Sequence, residues 1–223
     1  MERPANRSYK LRGTRITQAQ AFATDKFWSK YGISVDGIEN PEPIVPRVYF
    51  PDAGQIIMEI GTGMGEATAA IAAQFPETGF FAVELHKPGI GSLLGRIAES
   101  GLTNIRIIND DARVVLRYLV PDESIDAFHL YFPDPWPKQK HAKRRIVQSD
   151  FLELIAKKLK PGGYIHIATD WVPYARWAEQ KFAEVNLFHG GEVEKPEFRP
   201  TTRFEGIGLR KGHHVTDLKY FKN

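Results

Sequence analysis

Five carboxylates stand at the ends of short apolar runs in this 223-residue chain. They are Glu59 in "MEIGTGMGE", Glu84 in "FFAVEL", Asp110 and Asp111 in "NIRIINDD", and Asp134 in "YFPDPW". Carboxylates at strand ends accept hydrogen bonds from sugar hydroxyls and ring amino groups, and they balance a cationic ligand. Among them lie Gly61, Gly63 and Gly65, which let backbone approach a ligand at a helix N-terminus. The dinucleotide fingerprint G-x-G-x-x-G fails, because Glu66 takes the place of its last glycine and an acid beside a pyrophosphate is unfavourable. The pattern present is E-x-G-x-G-x-G, which suits a ligand without phosphates.

Glu84 falls near the spacing of about 20 residues expected of a ribose-binding acid, and Asp110 or Asp111 can accept from an adenine amino group. An acid-lined nucleoside site favours S-adenosylmethionine, whose sulfonium is cationic, over NAD. Each acid also has a local reading. Asp111 can cap the helix that follows it, and Glu59 can bond backbone within the loop.

A second constellation follows the fourth apolar run, in "HLYFPDPWPKQKHAKRR". Its prolines restrict φ, so Asp134 is expected to be held rather than mobile. Trp136 either stacks on an extruded base or packs under the loop. Lys138, Lys140, Lys143, Arg144 and Arg145 follow with no acid among them.

Residues 1–15, 138–145 and 195–223 together carry a net +13, leaving −10 on the other 171 residues, although the whole chain is only +3. Charge sorted in this way suggests a polyanionic partner gripped through its phosphates. Any one block, taken alone, reads equally as a solvated face or tail.

The elements that must position these groups alternate from Gln55 onward. "QIIMEIG", "GFFAVEL", "NIRIIND", "SIDAFHLYF" and "GGYIHIAT" are short apolar runs of the kind buried in parallel sheets, each followed by a segment of helical period. Five βα units predict a doubly wound α/β sheet. "KPGG" after Leu159 supplies a helix stop. The tail "RPTTRFEGIGLRKGHHVTDLKYF" reads as two further strands, giving a mostly parallel sheet of seven. Residues 1–25 read as a basic arm outside a single domain at 26–223.

Cysteine is absent, which excludes disulfides, zinc–thiolate sites and thiol nucleophiles and fits a cytoplasmic protein. The seven histidines show no metal-ligand spacing, so no metal is expected. The N-terminal stretch has no apolar segment of signal-peptide type, and no membrane span is expected.

Taken together, "MEIGTGMGE", "FFAVELHKPG", "YFPDPWPKQKHAKRRIVQ", "ATDW" and "RPTTRFE" resemble the bacterial tRNA (guanine-N7-)-methyltransferases, over about residues 7–221. The long PDPW-to-KRRIVQ motif is much more specific than the glycine loop. The resemblance implies a class I, Rossmann-like methyltransferase fold, S-adenosylmethionine as donor, and methylation of guanine 46 in the tRNA variable loop. It further implies cofactor contacts at Glu59, Glu84, Asp111 and Asp134, with Asp134 also the catalytic centre. Substrate contacts are implied at Lys138, Asp170, Thr202, Arg203, Phe204 and Glu205. An RNA-interacting stretch is implied over Lys140, His141, Ala142, Lys143, Arg144 and Arg145. Pro137 stands where some members carry His, which bears on loop stiffness.

Two other readings stay open on the residues alone: a methyltransferase for a small molecule or protein, and a noncatalytic RNA-binding subunit. The choice between monomer and homodimer is open too.

Overall fold

The computed structural model describes residues 8–9, 13, 15–35, 42–210, 212 and 214–223. Its centre is one sheet of eight strands in the order β1-β4-β3-β2-β5-β6-β8-β7. The five expected strands are β2 (Gln55–Ile60), β3 (Thr78–Val83), β4 (Ile105–Ile108), β5 (Ile125–Tyr131) and β6 (Leu159–Thr169), all parallel to their neighbours among these five. They form because apolar residues cover both faces. All six residues of β3 are buried, as parallel strands between helical layers require.

Seven strands is corrected to eight by β1 (Gly32–Ile33), a two-residue edge pairing with Ile107 and Ile108. The tail is corrected as well. Among the described residues only β8 (Thr216–Lys222) is a strand within it, and its antiparallel partner β7 (Phe188–Val193) lies upstream. Between them, Arg203–Arg210 forms a helix, α8. "FHGGEV" hides a strand because paired glycines and a charge lower its strand propensity. Gly206 and Gly208 hide the helix in the same way.

Helices α1 (Gln18–Tyr31), α3 (Glu66–Gln74) and α4 (Lys87–Ser100) cover one face, burying Ala23, Ile71, Leu93 and Leu94 against Ile57, Phe80 and Ile107. Helices α5 (Ala112–Tyr118), α6 (Ser149–Lys158) and α7 (Val172–Val185) cover the other, over Met58, Phe81, Phe128 and Ile165. A short helix, α2 (Pro46–Tyr49), precedes β2.

The boundary expected at residue 26 falls inside α1. Thr17 caps that helix, accepting from the Gln20 amide while the Gln20 side chain accepts from the Thr17 amide. The helix then buries Ala23 and Tyr31 on the stripe that Phe27 shares. Residues 1–7, 10–12 and 14 of the expected arm lie outside the described residues.

Strand order reverses between β2 and β5, with β3 and β4 to one side and β6 to the other. A crevice opens beyond the carboxyl ends at such a switch point. Glu59 and His129 are register partners across β2 and β5, so the glycine loop and the proline loop leave the sheet side by side.

Candidate active site

A cavity of about 830 Å³ occupies that crevice, lined by Glu59, Gly61, Gly63, Glu84, Asp110, Asp111, Asp134 and Thr202 among others. Glu59, Glu84, Asp111 and Asp134 come from four different strand ends, and the fold gathers them around one space. The residues present fit a cationic nucleoside. Gly61 and Gly63 hold φ of 75° and 57°, and a Cβ built on either would meet nothing within 4 Å, so their backbone faces open space. Gly65 differs. It ends the loop at φ 74°, and a Cβ there would stand 2.7 Å from Leu93, so it serves the packing of α3 on α4 and is not part of the cavity lining.

The acids are anchored unequally. Glu84 Oε2 accepts from the Gly63 amide (2.7 Å), and Oε1 accepts from the Leu85 and His86 amides (2.8 Å each). Glu84 therefore braces the glycine loop. A carboxylate offers about four acceptor positions, so capacity for a ligand hydroxyl remains. Asp111 Oδ1 accepts from the Arg113 amide at 2.8 Å, capping α5, and the residue lines the cavity too. The capping and ligand readings of Asp111 are compatible.

Glu59 is 3% exposed, and its Oε2 has no hydrogen-bond partner among the described residues. Burial pushes its carboxyl up to about 7. The neighbouring Thr68 hydroxyl, outside hydrogen-bonding geometry, opposes the rise, and the Glu84 charge adds to it. A buried acceptor without a donor, at the edge of an open cavity, is suited to a ligand's cationic or N–H group.

The proline loop is held under strain. Phe132 and Trp136, on either side of Pro133-Asp134-Pro135, adopt φ of 51° and 44°, a left-handed conformation that bulky residues take only where the surroundings enforce it. The enforcement is visible. The Phe132 amide donates to the Ala168 carbonyl (2.8 Å). Arg145 donates through Nε to the Pro135 carbonyl (3.1 Å) and through Nη2 to the Trp136 carbonyl (3.4 Å). The Arg145 guanidinium lies against the Trp171 and Trp177 rings, at 5.3 and 4.7 Å from their centroids.

Trp136 is packed, its indole N–H donating to the Ser8 carbonyl and its ring covered by Arg144 at 4.9 Å. Of the two roles considered for it, this is the packing one.

The basic stretch divides. Lys138, Lys140, Lys143 and Arg144 are exposed around a 3-10 turn over Gln139–Arg144, and His141 is half-buried. Ala142 is buried, and its carbonyl accepts from Gln148. Arg145, expected among the RNA-facing cations, is 5% exposed and belongs to the loop's support.

Asp170 sits half-buried at the end of β6, outside the cavity lining. Thr202 lines the cavity, and its hydroxyl accepts from the Glu205 amide at the start of α8. The Arg203 and Phe204 side chains lie outside the described residues. Glu205 is 2% exposed and outside the cavity lining, and its oxygens are turned to cations. Arg199 reaches both its oxygens, at 2.8 and 3.1 Å, and Lys195 a third time at 3.1 Å. It does not stand open to a base.

The sequence reading missed Tyr131, Phe132 and Ile207 on the cavity wall and Arg199 behind it. Arg199 had a signal, as a charged residue inside the motif "RPTTRFE". Tyr131 and Phe132 had none beyond their place at a strand end.

A glycine loop without the dinucleotide fingerprint, beside strand-end acids around one cavity at the switch point, is the arrangement that class I methyltransferases use. A family model described as "Putative methyltransferase" matches residues 53–218. The chain is 46% identical to a tRNA (guanine-N(7)-)-methyltransferase of Nitrosomonas eutropha, over 98% of this chain and 97% of that protein. It is 45% identical to one of Streptomyces avermitilis, over 96% and 74%. Among solved structures, the 16S rRNA methyltransferase KamB shares the fold at a TM-score of 0.58 and 17% identity, over 79% of this chain and 92% of that one. The chain belongs to the tRNA (guanine-N7-)-methyltransferase family.

Proposed function

We propose that this protein transfers a methyl group from S-adenosylmethionine to N7 of guanine 46 in the variable loop of tRNA, acting in the cytoplasm. The observation that carries the reading is the meeting of an acid-lined nucleoside cavity with a strained, arginine-clamped loop that presents Asp134 to it and exposed cations beyond it.

S-adenosylmethionine, when bound, supplies an electrophilic methyl on a cationic sulfur. Glu59 accepts from the ligand's charged or N–H groups, Glu84 from its ribose hydroxyls, and Asp111 from its base. Gly61 and Gly63 admit close backbone approach.

Guanine N7 carries an in-plane lone pair and no proton, so the transfer needs no general base. It needs alignment, and the ring gains positive charge as the bond forms. Asp134, fixed between two prolines, stabilises that charge. Asp170 accepts from guanine N1–H and the 2-amino group, which separates guanine from adenine. Glu205 is less suited to that task, because Arg199 and Lys195 already occupy its oxygens. Lys138, Lys140, Lys143 and Arg144 hold phosphates around the target nucleotide.

The test is incubation of the protein with unmodified tRNA and methyl-labelled S-adenosylmethionine, followed by mass spectrometry of nuclease fragments. Label on N7 of guanine 46 is expected. Label on an exocyclic amine, or in protein or small molecules only, would overturn the assignment.

A further inference from the structure

Arg199 is only 1% exposed, and two buried carboxylates divide its guanidinium. Nε and Nη2 donate to Asp217 Oδ1 and Oδ2, both at 2.7 Å, while Nη1 and Nη2 donate to Glu205 Oε2 and Oε1 at 2.8 and 3.1 Å. Its Cζ also lies 5.8 Å from the Tyr131 ring centroid and 5.7 Å from that of Phe132. These partners come from four places: β8, the first turn of α8, the end of β5, and the strained residue that opens the Asp134 loop. One planar side chain therefore touches both α8 and the start of the Asp134 loop, two elements that line the cavity.

The contact continues inward. His166 Nε2 stands 2.7 Å from Asp217 Oδ1, and its Nδ1 stands 3.1 Å from the hydroxyl of Tyr131, which lines the cavity. Burial holds His166 below its ordinary value, with Asp217 opposing, which favours the neutral ring. It then donates from Nε2 to Asp217 and accepts the Tyr131 hydroxyl proton at Nδ1.

We infer that Arg199, acting through Glu205 and Asp217, is a positioning residue for methyl transfer, setting α8 with Thr202 and Ile207 at a fixed distance from the loop that carries Asp134. A buried ion pair is weak support for stability by itself. A guanidinium forked to two carboxylates fixes orientation as well as proximity, which a lysine cannot do. Methyl transfer is sensitive to placement at the scale such a fork controls. The assignment rests on the proposed reading that Asp134 acts on the target guanine, and it adds that the guanine enters between α8 and the Asp134 loop.

Arg199→Lys keeps the charge and loses the fork. With saturating tRNA, its single-turnover methylation rate is expected to fall at least tenfold, while equilibrium affinity for S-adenosylmethionine stays within twofold. Amide exchange should quicken in residues 203–210 and not in β2–β5.

The decisive measurement is a double-mutant cycle with Glu205→Gln. If Arg199 works through Glu205, the double variant is no slower than the worse single one, whereas independent roles multiply the losses. A wild-type rate in Arg199→Lys, multiplying losses, or a rate lost in step with cofactor affinity would each overturn the inference. Should Arg199→Lys fail to fold, Asp217→Asn crossed with Glu205→Gln gives the same cycle through the same guanidinium, with the same expectation. Wild-type protein that leaves tRNA unmethylated would instead refute the proposed function, so the two failures are distinct.

Discussion

The cavity wall formed by the ends of β2, β3 and β4 is fixed by carboxylates accepting from backbone amides, as Glu84 does from three and Asp111 from one. The facing wall, formed by the Asp134 loop and α8, is fixed by buried arginines donating to carbonyls and carboxylates. On the first wall Glu84 and Asp111 both hold the frame and line the cavity, and beside the second Arg145 holds the loop while Arg144, of the same sign, is exposed. Charge type therefore does not separate support from function. Burial and hydrogen-bond occupancy do. Arg144 and Arg145 are neighbours in sequence, one exposed and one enclosed between two tryptophans.

The sharpest test of this contrast is Arg145→Ala. It leaves the Pro135 and Trp136 carbonyls without their donor and opens space between Trp171 and Trp177. We expect a loss of about 3 kcal/mol, seen as a fall of roughly 6–12 °C in Tm for a chain of this size. Arg144→Ala should change stability by less than about 1 kcal/mol, the worth of an exposed cation–π contact. Equal melting temperatures for the two variants would break the comparison.

The opposite wall is tested by pH. Because burial raises Glu59 from 4.5 to about 7, its contribution to apoprotein stability is full below 4.5 and is lost as pH climbs through about 7. Cofactor binding that uses the ionised form should therefore weaken by up to tenfold per unit as pH falls below about 7. Glu59→Gln should abolish that dependence and weaken binding at pH 8 by roughly 1–3 kcal/mol. Calorimetry showing the same pH profile in both proteins would assign the titration to another group.

Asp134→Asn is expected to retain tRNA binding and lose at least tenfold in single-turnover rate, about 1.4 kcal/mol of transition-state stabilisation. A near-wild-type rate would mean that the loop contributes shape and not charge. The smallest effect belongs to the exposed cations. Arg144→Ala should reduce the magnitude of the log K versus log salt slope by roughly 0.7–0.9, with cofactor affinity unchanged. An unchanged slope would remove Arg144 from the phosphate contacts.

The βα alternation and the acids at strand ends were legible in the sequence because they rest on local patterns, whereas the switch point depends on strand order. Apolar runs of strand length, helical periods and glycines at turns each depend on a few neighbouring residues. β7 and α8 were not legible, since glycines erase their propensity and only pairing with β8 or capping by Thr202 makes them form. The α1 stripe of Ala23, Phe27 and Tyr31 was overlooked for a related reason: one alanine and two aromatics in a polar segment become a buried face only when α4 lies beside them.

For the site, the residue types and their order along the chain determined which groups are available. Tertiary structure decided their roles. Arg145 and Glu205 look in sequence like cations and acids for a ligand, but the Pro135 and Trp136 carbonyls, turned back along the chain, and Arg199 take up their hydrogen bonds, and Trp177 covers Arg145. Glu59 looks like Glu84, yet Glu84 accepts from three backbone amides while Glu59 Oε2 is buried with no hydrogen-bond partner among the described residues. Solvent exposure and partner occupancy are properties of three-dimensional neighbours, and a one-dimensional pattern does not contain them.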